Sequence, residues 1–268
     1  MVDTAASPAA DGPTTAGPLL SVNEVSKTFG GIAAVSGVSL TVDRGESIGL
    51  VGPNGAGKTT LFNCICGQLR PEQGSIDLDG RELLGMPTFK RARLGISRTY
   101  QRIEVFPDMT VRDHLLVSYR ARWRKGRLWR DLCNLSKPTA EETEKVDSVL
   151  GMVGLDDRAE APVASLGLGS CRLVELARAL VADPVVLMAD EPSSGLDIHE
   201  TQELGTVLRQ VQRDRGMAMV LVEHDLSMVA EVVDRTVVMN LGEVIAEGAF
   251  ATVMADPAVR TAYLGIQE

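Results

Sequence analysis

Apolar side chains recur along this chain with two periods, and the order in which those periods alternate predicts an α/β fold. Residues 20–25 and 38–42 alternate apolar and polar positions around the turn-rich Phe29-Gly30-Gly31, as strands of an antiparallel layer with one buried face do. Residues 75–81 predict a further strand of that layer, ended by the hairpin dipeptide Asp79-Gly80. Residues 46–51, 185–189 and 217–222 are different. They are short unbroken apolar runs, the pattern of parallel strands covered on both faces. Another short strand closes at residues 98–101, and residues 235–239 and 244–247 pair across Asn240-Leu241-Gly242.

Helical spacing fills the intervals. Residues 60–67 are apolar at that spacing and stop at Gly67. Thr110 with Asp113, and Thr139 with Glu142, stand at capping-box spacing, and the second opens a helix with Val146, Val149, Leu150 and Val153 on one face. Residues 171–181 and 199–213 predict two more helices, and a helical tail ends near residues 263–265. The expectation is a single unit over residues 19–265, with a core from 19–101 and 182–265 and an all-helical insertion at 102–181. Residues 1–18, mostly Ala, Pro, Thr, Ser and Gly, are expected to be a disordered tail, and they lack the basic start and apolar stretch of a signal peptide.

The chemistry enters between the first apolar run and the first helix. Gly52-Pro53-Asn54-Gly55-Ala56-Gly57-Lys58-Thr59-Thr60 is a complete G-x-x-x-x-G-K-T phosphate-binding loop in the strand-to-helix setting that the motif requires. A triphosphate needs several converging N–H donors, and a glycine-rich turn lets the backbone wrap that closely. The helix start adds positive potential, Lys58 supplies a mobile charge for the β- and γ-phosphates, and the Thr59 hydroxyl can ligate Mg²⁺. The run at 185–189 ends in Asp190-Glu191, which places one carboxylate to hold Mg²⁺ and the next to polarise a water. The run at 217–222 ends in Glu223-His224-Asp225, so His224 emerges at a strand's carboxyl end, the edge where α/β sheets build their sites. Leu166-Gly167-Leu168-Gly169-Ser170 opens a helix on glycine and is an anion site by construction. Phe29 fits purine stacking and ordinary packing equally.

Composition narrows the classes. The formal charge of −9 over 268 residues argues against a general nucleic-acid binder. No apolar window reaches the roughly 18 residues that a membrane-spanning helix needs, so any membrane role is peripheral. Cys64, Cys66, Cys133 and Cys171 show no metal-ligand spacing and read as reduced thiols. Within the insertion, Arg120, Arg122, Trp123, Arg124, Lys125, Arg127, Trp129 and Arg130 form a basic cluster suited to lipid headgroups, an acidic partner or plain solvation.

Together these motifs resemble the nucleotide-binding subunits of ATP-binding-cassette transporters over about residues 20–265. The resemblance implies a P-loop NTPase core with a mixed, mostly parallel sheet, an antiparallel β layer and a helical signature subdomain. It makes Gln101 the glutamine loop, a γ-phosphate sensor and Mg²⁺ ligand. Residues 166–170 become the signature loop, in which Gly169 contacts nucleotide, and residues 194–197 become the dimer loop, in which Asp197 does so. Asp190 becomes the second Mg²⁺ ligand beside Thr59, Glu191 the base, His224 the switch histidine and Phe29 the ring against the base. The signature loop departs from the usual Leu-Ser-Gly-Gly-Gln, with Gly167 at the serine position and Ser170 at the glutamine position.

Within the family the chain looks like the branched-chain amino-acid import ATPases. Residues 95–101, the basic insertion, Glu223-His224-Asp225 and the ending from Ala246 to Gly265 carry that likeness. It implies ATP and Mg²⁺ as cofactors and a second ATP-binding subunit, identical or not, that sandwiches two ATPs. It also implies permease subunits, indirectly a solute-binding protein, and a peripheral place on the cytoplasmic face of the membrane. Single-cassette assembly scaffolds and the ATPases of urea, lipid or lipopolysaccharide transporters share much of the pattern.

Overall fold

The computed structural model describes residues 17–99, 106, 109–123 and 137–264. The tail at 1–16, Gln101, Arg124, Lys125, Arg127, Trp129, Arg130, Cys133 and Gly265 lie outside the described residues. In chain order come β1 (Leu20–Phe29), β2 (Ile32–Val42), β3 (Ser47–Val51), α1 (Lys58–Cys66), β4 (Gln73–Leu78), β5 (Arg81–Glu82), α2 (Thr88–Leu94) and β6 (Ile96–Arg98). The helical stretch contributes α3 (Val111–Trp123), α4 (Ala140–Val153) and α5 (Leu168–Leu180). Then follow β7 (Val186–Asp190), α6 (Ile198–Arg215), β8 (Ala218–Val222), α7 (Leu226–Val232), β9 (Arg235–Asn240), β10 (Glu243–Gly248), α8 (Phe250–Ala255) and α9 (Pro257–Leu264).

The smaller sheet is antiparallel, in the order β2-β1-β4-β5, and its last hairpin turns through Asp79 and Gly80, both at positive φ as such a turn demands. The larger sheet runs β10-β9-β3-β8-β7-β6, parallel except for β10. Strands β3, β7 and β8 are buried along their whole length, which is why they read as continuous apolar runs. Alternate side chains then divide between two cores. Val186 and Met188 join Leu61, Phe62 and Ile65 of α1 beneath the antiparallel layer, whereas Leu187 and Ala189 face the core shared with α3 to α6. Among the described residues no helix is long and apolar enough to cross a membrane.

Capping boxes form where expected. The Thr139 hydroxyl accepts from the Glu142 N–H at 3.2 Å while the Glu142 carboxylate accepts from the Thr139 N–H at 2.9 Å. Four features differ from the sequence reading. The β1–β2 hairpin extends to Phe29 and Ile32, leaving only Gly30-Gly31 as the turn. Helix α5 starts at Leu168, three residues before the first position read as helical. Helices α2 and α7 were not anticipated.

Candidate functional site

The buried strand β3 delivers the chain to the phosphate loop, and its neighbours mould the turn. A Cβ at Gly52 (φ 145°) would lie 2.1 Å from the Met239 carbonyl oxygen, and one at Gly57 (φ 99°) would lie 2.2 Å from that of Ala34. Strands β9 and β2 thus press on the loop, and only glycine fits either place. Gly57 caps α1 without a side-chain hydrogen bond, so the first N–H groups of α1 are left for an anion. The buried Lys58 folds back over the loop, its Nζ donating to the Gly52 and Pro53 carbonyls at 2.7 and 2.9 Å. Burial pushes its ammonium below the ordinary lysine value, and the Glu191 carboxylate partly opposes this. Asn54, Gly55 and Thr59 are exposed, Thr60 is half-buried and Ala56 is buried.

Beside the loop stands an acidic edge. Leu50 of β3, Val222 of β8 and Asp190 of β7 are abreast in register, so three strand ends finish level. Asp190 is only 4% exposed, and Nη2 of Arg98, from β6, donates to its Oδ2 at 2.8 Å. Burial raises the Asp190 carboxyl, Arg98 draws it back, and Glu191 and Glu223 push it up again. Glu191 follows with φ 46°, a left-handed backbone that is costly for a non-glycine residue and concentrates at functional positions. Its N–H donates to the Val222 carbonyl at 2.8 Å, which fixes the turn. His224 Nε2 lies 2.9 Å from Glu191 Oε1. An ionised carboxylate only accepts, so this nitrogen carries the proton.

Glu223 carries no role in the sequence reading, yet its buried carboxylate joins the loop after β7 to the loop after β8. It accepts from the Ser193 N–H at 2.8 Å on one oxygen, and from the His224 and Asp225 N–H groups at 2.8 and 3.4 Å on the other. Tyr263, on α9, was also missed. Burial raises its phenol, and the Gly52 backbone opposes that rise. The contacts of Glu223 with Ser193 and of Tyr263 with the phosphate loop link distant parts of the chain and leave no local signal. Cys64 and Cys66 are buried free thiols pushed up to about 11 and about 12, which agrees with an inert packing role.

Gly169 and Asp197 belong to a second group. Helix α5 begins on Gly167, whose φ of −69° is ordinary. A Cβ at Gly169 would meet Glu200 Oε1 at 2.9 Å. Glu200 completes the capping box of α6, its N–H donating to Asp197 Oδ1 at 2.8 Å. Arg172 of α5 donates to the Ser194 carbonyl at 2.8 Å, so the start of α5 is tied to the turn ahead of α6. Phe29 is 48% exposed at the tip of the β1–β2 hairpin, with the Lys27 ammonium 5.2 Å from its ring centre.

A phosphate loop, an acid pair and a histidine on one sheet edge, with a glycine-started helix opposite an acidic cap, form a pattern with known relatives. Residues 35–194 match the family model described as ABC transporter. The chain belongs to the ATP-binding-cassette transporter family. As a cassette ATPase it binds and hydrolyses ATP. Residues 243–268 match a second model, described as branched-chain amino acid ATP-binding cassette transporter. The chain is 38% identical over 251 residues to the high-affinity branched-chain amino acid transport ATP-binding protein LivG of Salmonella typhimurium, covering 92% of this chain and 98% of the relative. It is 36% identical over 254 residues to the corresponding protein BraF of Pseudomonas aeruginosa, with the same two coverages, 92% and 98%. Among solved structures, an ATP-binding cassette in its ADP conformation superposes with a TM-score of 0.82 at 28% identity, covering 93% of this chain and 99% of that one. A nucleotide-free cassette gives 0.80 at 28% identity, covering 94% and 100%.

Proposed function

We propose that this cassette is the motor of a membrane importer for branched-chain amino acids. It works as one of a pair of ATP-binding subunits on the cytoplasmic face, beneath permease subunits that receive solute from a binding protein. The observation that carries the catalytic part is the Glu191–His224 contact of 2.9 Å, level with the phosphate loop. The match of residues 243–268 and the LivG and BraF relatives support the solute class.

In this reading Lys58 exchanges the Gly52 and Pro53 carbonyls for the β- and γ-phosphates. Glu191 accepts the proton of a water that attacks the γ-phosphorus in line, the bond to the β-phosphate oxygen breaks, and ADP and phosphate leave. His224 donates from Nε2 to a γ-phosphate oxygen, an acceptor it chooses over Glu191 once nucleotide arrives. The site fits Mg²⁺, which asks for one or two protein oxygens and completes its shell with phosphate and water. Asp190 offers an Oδ1 to which no described residue hydrogen-bonds, and Thr59 is exposed on the first turn of α1. Among the described residues no group of three or more His, Cys, Asp or Glu competes for a metal. Held by Thr59, Asp190 and Gln101, Mg²⁺ would supply charge neutralisation between the β- and γ-phosphates.

For the permease, a cleft of ≈ 510 Å³ lies between α2, α3 and α5, lined by Arg91, Arg93, Arg98, Arg122 and Arg178 with Glu175. Arg91 and Arg98 are engaged by the Met86, Cys64 and Ile65 carbonyls and by Asp190, so in a chain of net charge −9 it is the exposed Arg93 and the half-buried Arg122 that support docking of an acidic cytoplasmic segment. The test is uptake of isotope-labelled leucine by cells lacking the chain, combined with co-purification in detergent. The reading expects wild type to restore uptake, Glu191→Gln to fail, and both to bring down a multi-spanning protein. Restored uptake with Glu191→Gln, or no multi-spanning partner, would overturn it.

A further inference from the structure

Asp190 poses a physical problem that the mechanism leaves open. A carboxylate withdrawn from water beside two further carboxylates, Glu191 and Glu223, needs a counter-charge, and it must also present a defined oxygen to a cation. Arg98 answers both needs from the neighbouring parallel strand. Its Nη2 holds Asp190 Oδ2 at 2.8 Å, while its Nη1 donates to Asn63 Oδ1 at 2.7 Å and Gln68 Oε1 at 2.6 Å. Its guanidinium lies 4.8 Å from the ring centre of Phe62.

The placement of those partners matters. Phe62 and Asn63 are on α1, the helix that carries Thr59 in its first turn, and Gln68 directly follows the cap of that helix at Gly67. Asp190 ends β7. One rigid planar group therefore spans the two elements that bear the candidate cation ligands. The hydroxyl of Thr99, next in the chain, accepts from the Asp190 N–H at 3.3 Å, and the Thr99 N–H donates to the Met188 carbonyl at 3.0 Å, so the end of β6 holds both backbone and side chain of Asp190. Because the fork engages Oδ2, Oδ1 is the oxygen left for the metal.

We propose that Arg98 is a positioning residue for the divalent cation, fixing Asp190 against α1 so that Oδ1 meets Mg²⁺ together with Thr59. This rests on the reading of Asp190 as a Mg²⁺ ligand. The planar fork is essential to the role, because a point charge would neutralise Asp190 without setting its orientation or its distance from α1.

The experiment titrates Mg²⁺ into the full chain with a fluorescent N-methylanthraniloyl ADP and reads the Mg²⁺ concentration that half-saturates the enhancement of binding. Arg98→Met raises that concentration by about ten- to one-hundredfold, the usual cost of losing a group that orients a metal ligand, while ADP affinity without Mg²⁺ stays within about twofold. Arg98→Lys, which keeps the charge without the fork, is impaired as well. The double variant Asn63→Ala/Gln68→Ala keeps Arg98 but frees its other end, and shifts the Mg²⁺ requirement in the same direction by less. That double variant decides the matter if Arg98→Met does not fold. Asp190→Asn separates the two levels. If it leaves the Mg²⁺ requirement unchanged, the assignment of Asp190 as a ligand fails. If Asp190→Asn raises the requirement but Arg98→Met and the double variant leave it at the wild-type value or lower, Arg98 is only a counter-charge and the proposal is overturned.

Discussion

Among the described residues two helices start on glycine, and their glycines are held for different reasons. Ahead of α1, Gly52 and Gly57 have positive φ, and a Cβ on either would run into backbone carbonyls at 2.1 and 2.2 Å. Backbone cannot swing away, so the residue type is dictated by the fold around the loop. Ahead of α5, Gly167 has an ordinary backbone with nothing within 4 Å of an added Cβ, and Gly169 would meet only the carboxylate end of Glu200 at 2.9 Å. A flexible side chain can yield. The first loop is built into the core, and the second is a surface whose composition can drift, as it has at Gly167 and Ser170.

Gly52→Ala should break the first loop. Left-handed strain and the clash with Met239 together cost on the order of 3 kcal/mol or more, read as a lower midpoint in thermal or urea unfolding and loss of nucleotide binding. Gly169→Ala is the matched control. Helix propensity gains roughly 1 kcal/mol and offsets the displacement of Glu200, so stability should stay within about 1 kcal/mol of wild type. Equal destabilisation by the two would erase the distinction between the loops.

Lys58→Ala should come next in size. It removes charged hydrogen bonds worth roughly 1.5–3 kcal/mol, so equilibrium titration should show ATP binding weakened by about ten- to one-hundredfold. Unchanged affinity would contradict the assignment of the loop. On the second loop, Gly167→Ser adds a hydroxyl into open space beside a helix start. In a Glu191→Gln background the ATP-driven dimer should tighten by about tenfold, measured as a dimer dissociation constant, because one hydrogen bond to a charged acceptor is gained. A looser dimer would mean that the signature loop departs from serine because it does not face phosphate. In Gly169→Asp the new carboxylate would first confront Glu200 of its own chain, so a loss of dimer in that variant could not be ascribed to phosphate alone.

The smallest expected effect is a pH dependence within the helical part. The buried His114 donates from Nδ1 to the Thr110 carbonyl and accepts at Nε2 from the Phe106 N–H, both at 2.9 Å, an arrangement that fits only the neutral ring. Burial pushes its pKa below the ordinary value, opposed by the Thr110 bond. The unfolded chain therefore takes up the proton first as pH falls, so this contribution is present above the ordinary histidine range near pH 6.5 and is lost below it. The melting temperature of wild type should fall more steeply between about pH 7 and pH 5 than that of His114→Gln. Parallel curves would remove His114 as the source.

The strands were legible wherever burial was one-sided or complete. Continuous apolar runs announced β3, β7 and β8, and alternation announced β1, β2 and β4. Helix α4 was legible because its cap and its apolar face agree. Helix α2 was not, since Pro87 provides no side-chain cap and Arg91 is its one buried residue, leaving no apolar stripe to read. Helix α7 has a cap, Asp225, accepting from the Ser227 and Met228 N–H groups, but seven residues are too few to establish a period. The residues that make local motifs were legible in the sequence, and the structure brings the phosphate loop, the acid pair and His224 together at one sheet edge. The residues that hold them in place were not legible, because Arg98 meets Asp190, and Glu223 meets Ser193, across long stretches of sequence. The strained backbone of Glu191 is invisible in any pattern of residue types, being imposed by the bond from its N–H to Val222.

Glu191 is proposed as the base at a composite site closed by a second subunit. The direct test is the turnover and oligomeric state of Glu191→Gln with ATP and Mg²⁺, read by phosphate release and by light scattering after size exclusion. Hydrolysis should fall by about 10²–10⁴-fold while ATP binding persists and the chain becomes an ATP-stabilised dimer. Turnover within about twofold of wild type, with no dimer formed, would contradict it.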